Sequence, residues 1–158
     1  MIISGFIILN INSDDNNSNN EIIQKYNENQ RTETVLEKKE GATSMKVIIN
    51  NKEYEVELDN NDTTNDILSN LPFDLNMQRY AGNEYYGELS FSPKNIEGNS
   101  DIKAGHIYYW DGWNAFVLNF EDRNINPYKV VHIGKIKDKT IIDLLKNGEE
   151  NIAIKVIK

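Results

Sequence analysis

The 158-residue chain contains no cysteine. This absence excludes disulfide bridges, thiolate zinc sites and cysteine nucleophiles. It leaves the cellular compartment open, because a cysteine-free chain tolerates either redox environment. Histidine is also scarce, and neither His106 nor His132 has a second ligand nearby in the sequence. We therefore expect both histidines to be ordinary strand residues, and we expect no metal site.

Basic residues are in deficit: 17 Lys and Arg stand against 25 Asp and Glu, a formal net charge of −8. This balance argues against nucleic acid as a partner, because non-specific binding needs a basic surface that displaces counterions. The chain also lacks a Gly-rich phosphate loop and a recognisable Ser-His-Asp arrangement. No cofactor is expected. Whether the protein is an enzyme is left open, with the sequence favouring a protein that is not.

Long apolar runs are missing as well. The apolar segment 1–11 is too short to span a bilayer and lacks the basic n-region of a signal peptide. Three interpretations stay open: the remnant of an export signal whose true start lies upstream, an anchor that works as it stands, or an incidental apolar start of a cytoplasmic protein. We expect an extracytoplasmic location, exported or at the cell surface, with a cytoplasmic one as the alternative.

The hydrophobic fraction of 39% is low because residues 10–44 are strongly polar. Such a segment buries too little apolar surface to offset its conformational entropy. The sequence therefore predicts a disordered tether over residues 12–44 and a folded domain over residues 45–158.

From Met45 onward apolar and polar residues alternate, which is typical of strands with one buried face. In the second run Tyr54, Val56 and Leu58 form the apolar side. Two short helical patterns interrupt the strands, at residues 62–72, capped by a Thr or an Asp, and at residues 140–146. The pattern predicts about eight short strands and two short helices, hence a mainly β closed barrel or sandwich.

The densest aromatic run is residues 104–120, with Asp111-Gly112 at its centre. Asp-Gly favours a tight hairpin turn in which both residues take positive φ. Alternation places Tyr108 and Trp110 on one face of the first strand and the neighbouring apolar residues on the other. We expect one of the two tryptophans, Trp110 or Trp113, to be in the core and the other at a rim.

Candidate binding residues gather at two predicted turns, the one after residue 80 and the one between the tryptophans. Tyrosine hydroxyls, a carboxylate and indole rings are groups that line ligand pockets. The alternative is structural: Asn83 would tolerate positive φ, Glu84 would bond nearby backbone, and the tryptophans would fill the barrel. The predicted ligand-binding set is Arg79, Tyr80, Asn83, Glu84, Tyr86, Trp110, Trp113 and Asn114.

Four ordered segments, at residues 62–72, 77–85, 104–115 and 132–136, together resemble the bacterial cyclophilin-like fold proteins. The resemblance covers residues 45 to about 157 and implies a closed eight-stranded barrel with two capping helices. The Phe-His-Arg strand and the Phe-Met-x-Gln-Gly-Gly-Asp segment of eukaryotic-type cyclophilins are missing here.

The sequence does not specify the function of this domain. The aromatic and polar residues at the two predicted turns favour a module that binds a peptide or small molecule without efficient isomerase activity. The alternative is a divergent peptidyl-prolyl isomerase in which Arg79 replaces the family's arginine. A third hypothesis is an enzyme of another class with Glu84 as its acid or base. The sequence does not indicate the oligomeric state.

Overall fold

The computed structural model describes residues 44–158. The predictions for the apolar segment 1–11 and for nearly all of the polar segment 12–44 lie outside the described residues. Within residues 44–158, no helix is both long enough and apolar enough to cross a membrane.

Eight antiparallel strands close into a barrel in the order β1-β10-β3-β4-β7-β6-β9-β2. Closure leaves none of these strands with an unpaired edge. Two helices accompany the barrel, which confirms the predicted fold class. The elements are β1 (Met45–Ile49), β2 (Lys52–Leu58), α1 (Asp62–Ser69), β3 (Phe73–Tyr80), β4 (Glu84–Glu88), β5 (Asp101–Ile102), β6 (His106–Trp110), β7 (Ala115–Asn119), β8 (Arg123–Asn124), β9 (Val131–Ile136), α2 (Thr140–Lys146) and β10 (Asn151–Ile157).

The short strands β5 and β8 form a separate two-stranded sheet. The sequence predicts a loop over residues 92–103 and a polar turn over residues 121–127, and so neither strand. A strand of two residues shows no alternation that a sequence pattern could reveal. The sheet joins residues 101–102, which precede β6, to residues 121–130, which follow β7 and pass over one side of the barrel. We call residues 121–130 the covering segment.

Alternating apolar residues fill the barrel interior, as the period-two pattern predicts. Tyr54 and Val56 of β2, and Leu75 and Met77 of β3, are buried in one core cluster. Each large side chain of this kind stabilises the fold by roughly 1.5–3 kcal/mol relative to leaving it in water. The interior is therefore a packed core, and the side chains available to a ligand lie outside it.

Two turns differ from their predicted positions by one or two residues. The β1–β2 turn uses Asn50 and Asn51, with φ of 50° and 63°, one residue earlier than expected. In the β3–β4 turn the positive φ angles belong to Ala81 and Gly82, not to Asn83. Asn83 is instead buried, and its side chain forms hydrogen bonds with Glu84 and Arg123.

The β6–β7 connection is a hairpin, but its turn is longer than Asp-Gly alone. Residues Asp111–Trp113 form a 3₁₀ turn and the left-handed residue is Asn114, with φ of 47°. Its side chain stabilises this conformation by donating from Nδ2 to the carbonyls of Leu89 and Phe91 at 2.9 and 3.0 Å. The prediction of positive φ at Gly112 was wrong.

Gly112 is needed for a different reason. A Cβ atom at this position would lie 3.1 Å from the ring of Trp110. The missing side chain therefore lets the Trp110 indole fold back against the turn.

Neither tryptophan is in the core, which corrects the expectation that one would be. The core face of β6 consists of Ile107 and Tyr109, whereas Tyr108 and Trp110 point to the outside of the barrel. Trp110 is half-buried there, and Trp113, beyond the strand end, is 41% exposed. The interior is filled by Tyr109 and other aromatic residues, so no indole is required.

The α1 helix begins after Asn61, not after the Thr or Asp that the sequence suggested. The Asn61 Oδ1 atom accepts a hydrogen bond from the backbone N–H of Thr64 at 2.8 Å. Asn61 Nδ2 also donates to the carbonyl of His132 in β9 at 2.9 Å. One side chain thus caps the helix and ties it to the barrel.

Arg79 joins β3 to the C-terminal end of α2. Its Nη2 atom lies 2.5, 3.1 and 3.0 Å from the carbonyl oxygens of Leu145, Lys146 and Gly148. The same atom donates to the Tyr85 hydroxyl at 2.8 Å. The last carbonyls of a helix have no N–H donor within the helix, and the Arg79 guanidinium supplies one. Its positive charge also complements the helix dipole.

We predict that Arg79→Ala lowers the free energy of unfolding by about 2–3 kcal/mol, because it leaves several part-buried carbonyls without a charged donor. Urea denaturation measures this loss. Lys155→Ala, at an exposed position of β10, is the control and should stay within about 0.5 kcal/mol of the parent protein. An Arg79→Ala protein as stable as the control would contradict the structural role.

Candidate functional site

A cleft of about 550 Å³ lies on the outer face of β3, β4, β7 and β6. The covering segment, which contains β8, passes over this cleft. Its volume is in the range of small-molecule sites. It is lined by Tyr80, Glu84, Ile102, Tyr108, Trp110, Trp113, Val117, Arg123, Asn124, Ile125, Asn126, Tyr128 and Val130.

The floor of the cleft is a second apolar cluster, separate from the barrel interior. Tyr108 and Val117 are buried cross-strand partners on the outer face of β6 and β7. Ile102, from the loop before β6, and Val130, from the covering segment, pack onto them. The Tyr108 hydroxyl accepts a hydrogen bond from the Lys103 backbone at 2.8 Å, which holds the loop before β6 against the sheet.

Aromatic rings form one wall of the cleft. Trp113 contacts its neighbours with ring centroids 4.3 Å from Trp110, 5.2 Å from Tyr80 and 5.0 Å from Tyr86. Tyr128 meets Trp110 from the covering segment at 6.4 Å. These separations are typical of edge-to-face and tilted aromatic pairs. The aromatic cluster comprises Tyr80, Tyr86, Trp110, Trp113 and Tyr128.

Three large hydrophobic side chains are exposed within residues 44–158, and all three belong to this cluster. Tyr80, Trp113 and Tyr128 are 45%, 41% and 64% exposed. Scattered exposed aromatics need no explanation, but their gathering at one concave site is typical of a binding surface.

Polar side chains stand at one end of the cleft. Asn83 Nδ2 donates to Glu84 Oε2 at 3.1 Å, and Arg123 Nη1 donates to Asn83 Oδ1. Burial raises the pKa of Glu84 above its ordinary value, while the Arg123 charge and the Asn83 hydrogen bond act in the opposite direction. The cleft therefore combines a partly desolvated carboxyl group with a nearby guanidinium.

Asn119, the cross-strand partner of Glu84, is fully buried. Its Nδ2 atom donates to the carbonyls of Lys103 and Glu121 at 3.0 and 2.6 Å, which fixes the orientation of the amide. Its Oδ1 atom is the one buried side-chain polar atom in the described part of the chain without a hydrogen-bond partner. Such an orphan acceptor is costly and calls for an explanation.

The structure brings together half of the predicted site residues as lining of the cleft: Tyr80, Glu84, Trp110 and Trp113. Tyr86 packs behind them, with its hydroxyl donating to Gln78 at 3.0 Å. Asn83 positions Glu84. The two remaining residues, Arg79 and Asn114, lie elsewhere and bond to backbone carbonyls.

The covering segment, above all Arg123 and Tyr128, was not predicted from the sequence as part of the site. The sequence pattern predicts a polar turn over residues 121–127 and a strand that begins at Tyr128. No local pattern shows that these residues fold back over the outer face. Arg123 contacts Asn83, which lies 40 residues earlier in the chain. Tyr128 contacts Trp110, which belongs to the β6–β7 hairpin.

Two other depressions occur in the described residues, of about 480 and 670 Å³. The first lies beside α2 and the second across β1, β10 and β3. Both are lined by a mixture of asparagines and aliphatic residues, and neither contains an exposed aromatic ring. The second depression has a larger volume than the outer-face cleft, but it is a more open groove and has no aromatic residue in its lining.

The two histidines form a hydrogen-bonded chain next to Tyr108. His132 Nδ1 lies 2.6 Å from the Asp59 carboxylate, and His132 Nε2 lies 2.9 Å from His106 Nδ1. A carboxylate only accepts, so His132 donates from Nδ1, and as a neutral imidazole it accepts at Nε2. When both imidazoles are neutral, His106 is therefore protonated on Nδ1 and its Nε2 atom is unprotonated.

Sequence similarity connects this barrel with a known family. The sequence matches the Cyclophilin-like family over residues 47–156. The chain belongs to this family. The match covers nearly the whole cyclophilin-like domain and confirms the resemblance seen in the ordered motifs. Comparison with curated proteins gives no match.

Solved structures support the same fold. A hypothetical protein from Archaeoglobus fulgidus, solved in solution, resembles the cyclophilin-like domain with a TM-score of 0.56 and 21% identity, covering 77% of this chain and 98% of that one. McbB in complex with tryptophan gives a TM-score of 0.51 and 9% identity, covering 72% of this chain and 44% of McbB. This chain thus spans less than half of McbB. At these identities the similarity shows the fold alone.

We predict that Glu84→Gln raises the thermal stability of the cyclophilin-like domain at pH 7. Burial raises the pKa of Glu84, so its contribution to stability is full below the ordinary carboxyl value of 4.5 and is lost as pH rises through the raised pKa. Glutamine carries no charge at any of these pH values, so the variant does not lose this stability. The difference in melting temperature between variant and parent should shrink to zero as the pH falls from 7 to 4.

Glu88→Gln, at the exposed end of the same strand, is the matched control for that experiment. It should give no pH-dependent gain. A Glu84→Gln melting temperature at or below that of the parent at pH 7 would contradict the burial of an ionised carboxyl.

We predict that both histidines are protonated on Nδ1 at neutral pH, and that the pKa of His106 lies below its ordinary 6.5. Burial is the largest cause of the lowered pKa, and the nearby His132 and Lys135 lower it further. Asp122 and Asp59 act to raise it. Asp59→Asn should therefore lower the His106 pKa further, whereas Asp74→Asn on β3 should leave it unchanged. Long-range ¹H–¹⁵N spectra of the imidazoles give both tautomers and both titrations.

Proposed function

We propose that this cyclophilin-like domain is a binding module that holds a small molecule or a short peptide segment in the outer-face cleft. The observation that carries the proposal is the concentration of exposed aromatic side chains at one concave site. Exposed Trp and Tyr rings lose little conformational entropy on binding, and they provide large contact areas with polar tips.

The site has the two parts that ligand recognition requires. The aromatic cluster and the apolar floor supply contact area, and the polar end with Glu84 and Arg123 supplies orientation. Trp113 is central to the aromatic wall, since it contacts Tyr80, Tyr86 and Trp110. Hot spots of binding are enriched in Trp at such central positions.

Prolyl isomerase activity through Arg79 is not proposed. The Arg79 guanidinium is held by the carbonyls at the end of α2 and by Tyr85, and it does not line the cleft. An acid or base role of Glu84 would need a reacting partner, and the described residues around the cleft do not define one. Binding is the activity that the arrangement of side chains supports best.

The choice of trial ligands follows from the lining. A short peptide library supplies apolar and aromatic side chains in many contexts. Free tryptophan is a sensible addition, since the distant structural neighbour McbB was solved with it bound. Tryptophan itself fluoresces, so its binding is followed by calorimetry.

We predict that a ligand from this set binds and quenches or shifts the intrinsic tryptophan fluorescence. Trp113→Ala should weaken binding at least tenfold, because it removes the central ring of the aromatic wall. Calorimetry of parent and variant measures the affinities. Lys155→Ala, on β10 and outside the lining of the cleft, is the control.

Two outcomes would overturn the proposal. One is that no member of the panel binds. The other is that a ligand binds equally well to Trp113→Ala and to the parent, which would place binding outside the aromatic cleft.

A further inference from the structure

The polar end of the cleft holds two opposite charges apart. Arg123 donates to Asn83 Oδ1, and Asn83 Nδ2 donates to Glu84 Oε2 at 3.1 Å, so one amide group separates the guanidinium from the carboxylate. Neither charged residue takes part in any ion pair among residues 44–158. Both retain hydrogen-bonding capacity toward the cleft that they line.

The separating amide is rigidly held. Asn83 is 5% exposed, its N–H donates to the carbonyl of Tyr80 at 3.2 Å, and its carbonyl accepts from the N–H of Phe120 at 2.9 Å. The spacing between the two charges is therefore set by the fold before any ligand arrives. Preorganised charges of opposite sign recognise a ligand that carries the complementary pair.

The carboxylate side of this pair is rich in acceptors. Glu84 and Asn119 are direct cross-strand partners, so their side chains share the outer face with Cβ atoms roughly 5 Å apart. The Asn119 Oδ1 atom is buried and unpartnered. Asn119 does not itself line the cleft, so the acceptor that a ligand reaches is the Glu84 carboxylate. An ammonium group, with three N–H bonds, is a donor that complements it.

The guanidinium side complements a carboxylate. Arg123 presents its remaining N–H groups in the fork geometry that suits a carboxylate group. The chain has a net charge of −8, which repels an anionic ligand group. The Arg123 charge offsets this repulsion within the cleft. The aromatic cluster begins at Tyr80, whose side chain is on the same face as its partner Glu84.

We infer that the cleft binds a free α-amino acid with an aromatic or other apolar side chain. The ammonium group lies at Glu84, the carboxylate at Arg123, and the side chain against the aromatic cluster. This inference rests on the proposed function and specifies its ligand class. A free amino acid fits better than an internal peptide segment, since only the former carries both charges on one carbon atom.

Four probes separate the two charges: L-phenylalanine, its N-acetyl derivative, its amide, and the doubly blocked N-acetyl amide. Isothermal titration at pH 7 should show phenylalanine binding most tightly. Blocking either end should weaken binding at least tenfold, because a desolvated charge in the cleft is left unpaired. Phenylalanine avoids the fluorescence overlap that tryptophan would cause.

Variants assign each charge to its residue. Glu84→Gln should weaken phenylalanine binding at least tenfold but should not weaken binding of the N-acetyl derivative, since that probe has no ammonium to pair with the carboxylate. Arg123→Gln should weaken phenylalanine binding but not binding of the amide, and Arg123→Lys should recover part of the loss. Melting curves verify that each variant is folded.

The outcomes distinguish the two proposals. Equal affinity for phenylalanine and the doubly blocked probe, or phenylalanine binding that neither charge variant alters, overturns the amino-acid inference and leaves the binding module intact. Binding of library peptides without any binding of phenylalanine also overturns the amino-acid inference alone. If none of the four probes and no peptide of the library binds, both the amino-acid inference and the proposed binding function are overturned.

Discussion

Closure of the barrel is the constraint on which the rest of the structure depends. Eight strands joined in a ring must turn one face of each strand inward, and that face is filled by the core cluster. On β6 this rule sends Tyr109 inward and both Tyr108 and Trp110 outward. Because the interior is packed, chemistry has to take place on the outer face or at the barrel ends.

The outer face is covered only in part. The two segments that contain β5 and β8 bury an apolar floor with Tyr108 and Val117, but they leave Tyr80 and Trp113 substantially exposed beside that floor. The position of Trp113 depends on the tight turn before it, where Gly112 admits the Trp110 ring and Asn114 takes the left-handed conformation. The cleft is thus the gap between a rigid sheet and its incomplete cover.

Most of the fold could be predicted from the sequence, because alternation is a local property. The strands with Tyr54 or Leu75, both helices and the β6–β7 hairpin follow from it. The roles of single polar residues could not be predicted in this way. Arg79 meets α2 some 66 residues later, and Arg123 meets Asn83 across 40 residues. Such contacts depend on barrel order and register, which no local pattern contains.

The candidate site was therefore only half predictable. The tyrosine, carboxylate and indole groups were recognisable by type, whereas their convergence requires the sheet and its cover. The most direct test of the outer-face cleft as the binding site is a backbone ¹H–¹⁵N chemical-shift map of the domain titrated with a bound ligand. Binding in the cleft predicts the largest shifts at residues 80–84, 110–113 and 123–128. Shifts centred on residues 144–153, beside α2, would contradict it.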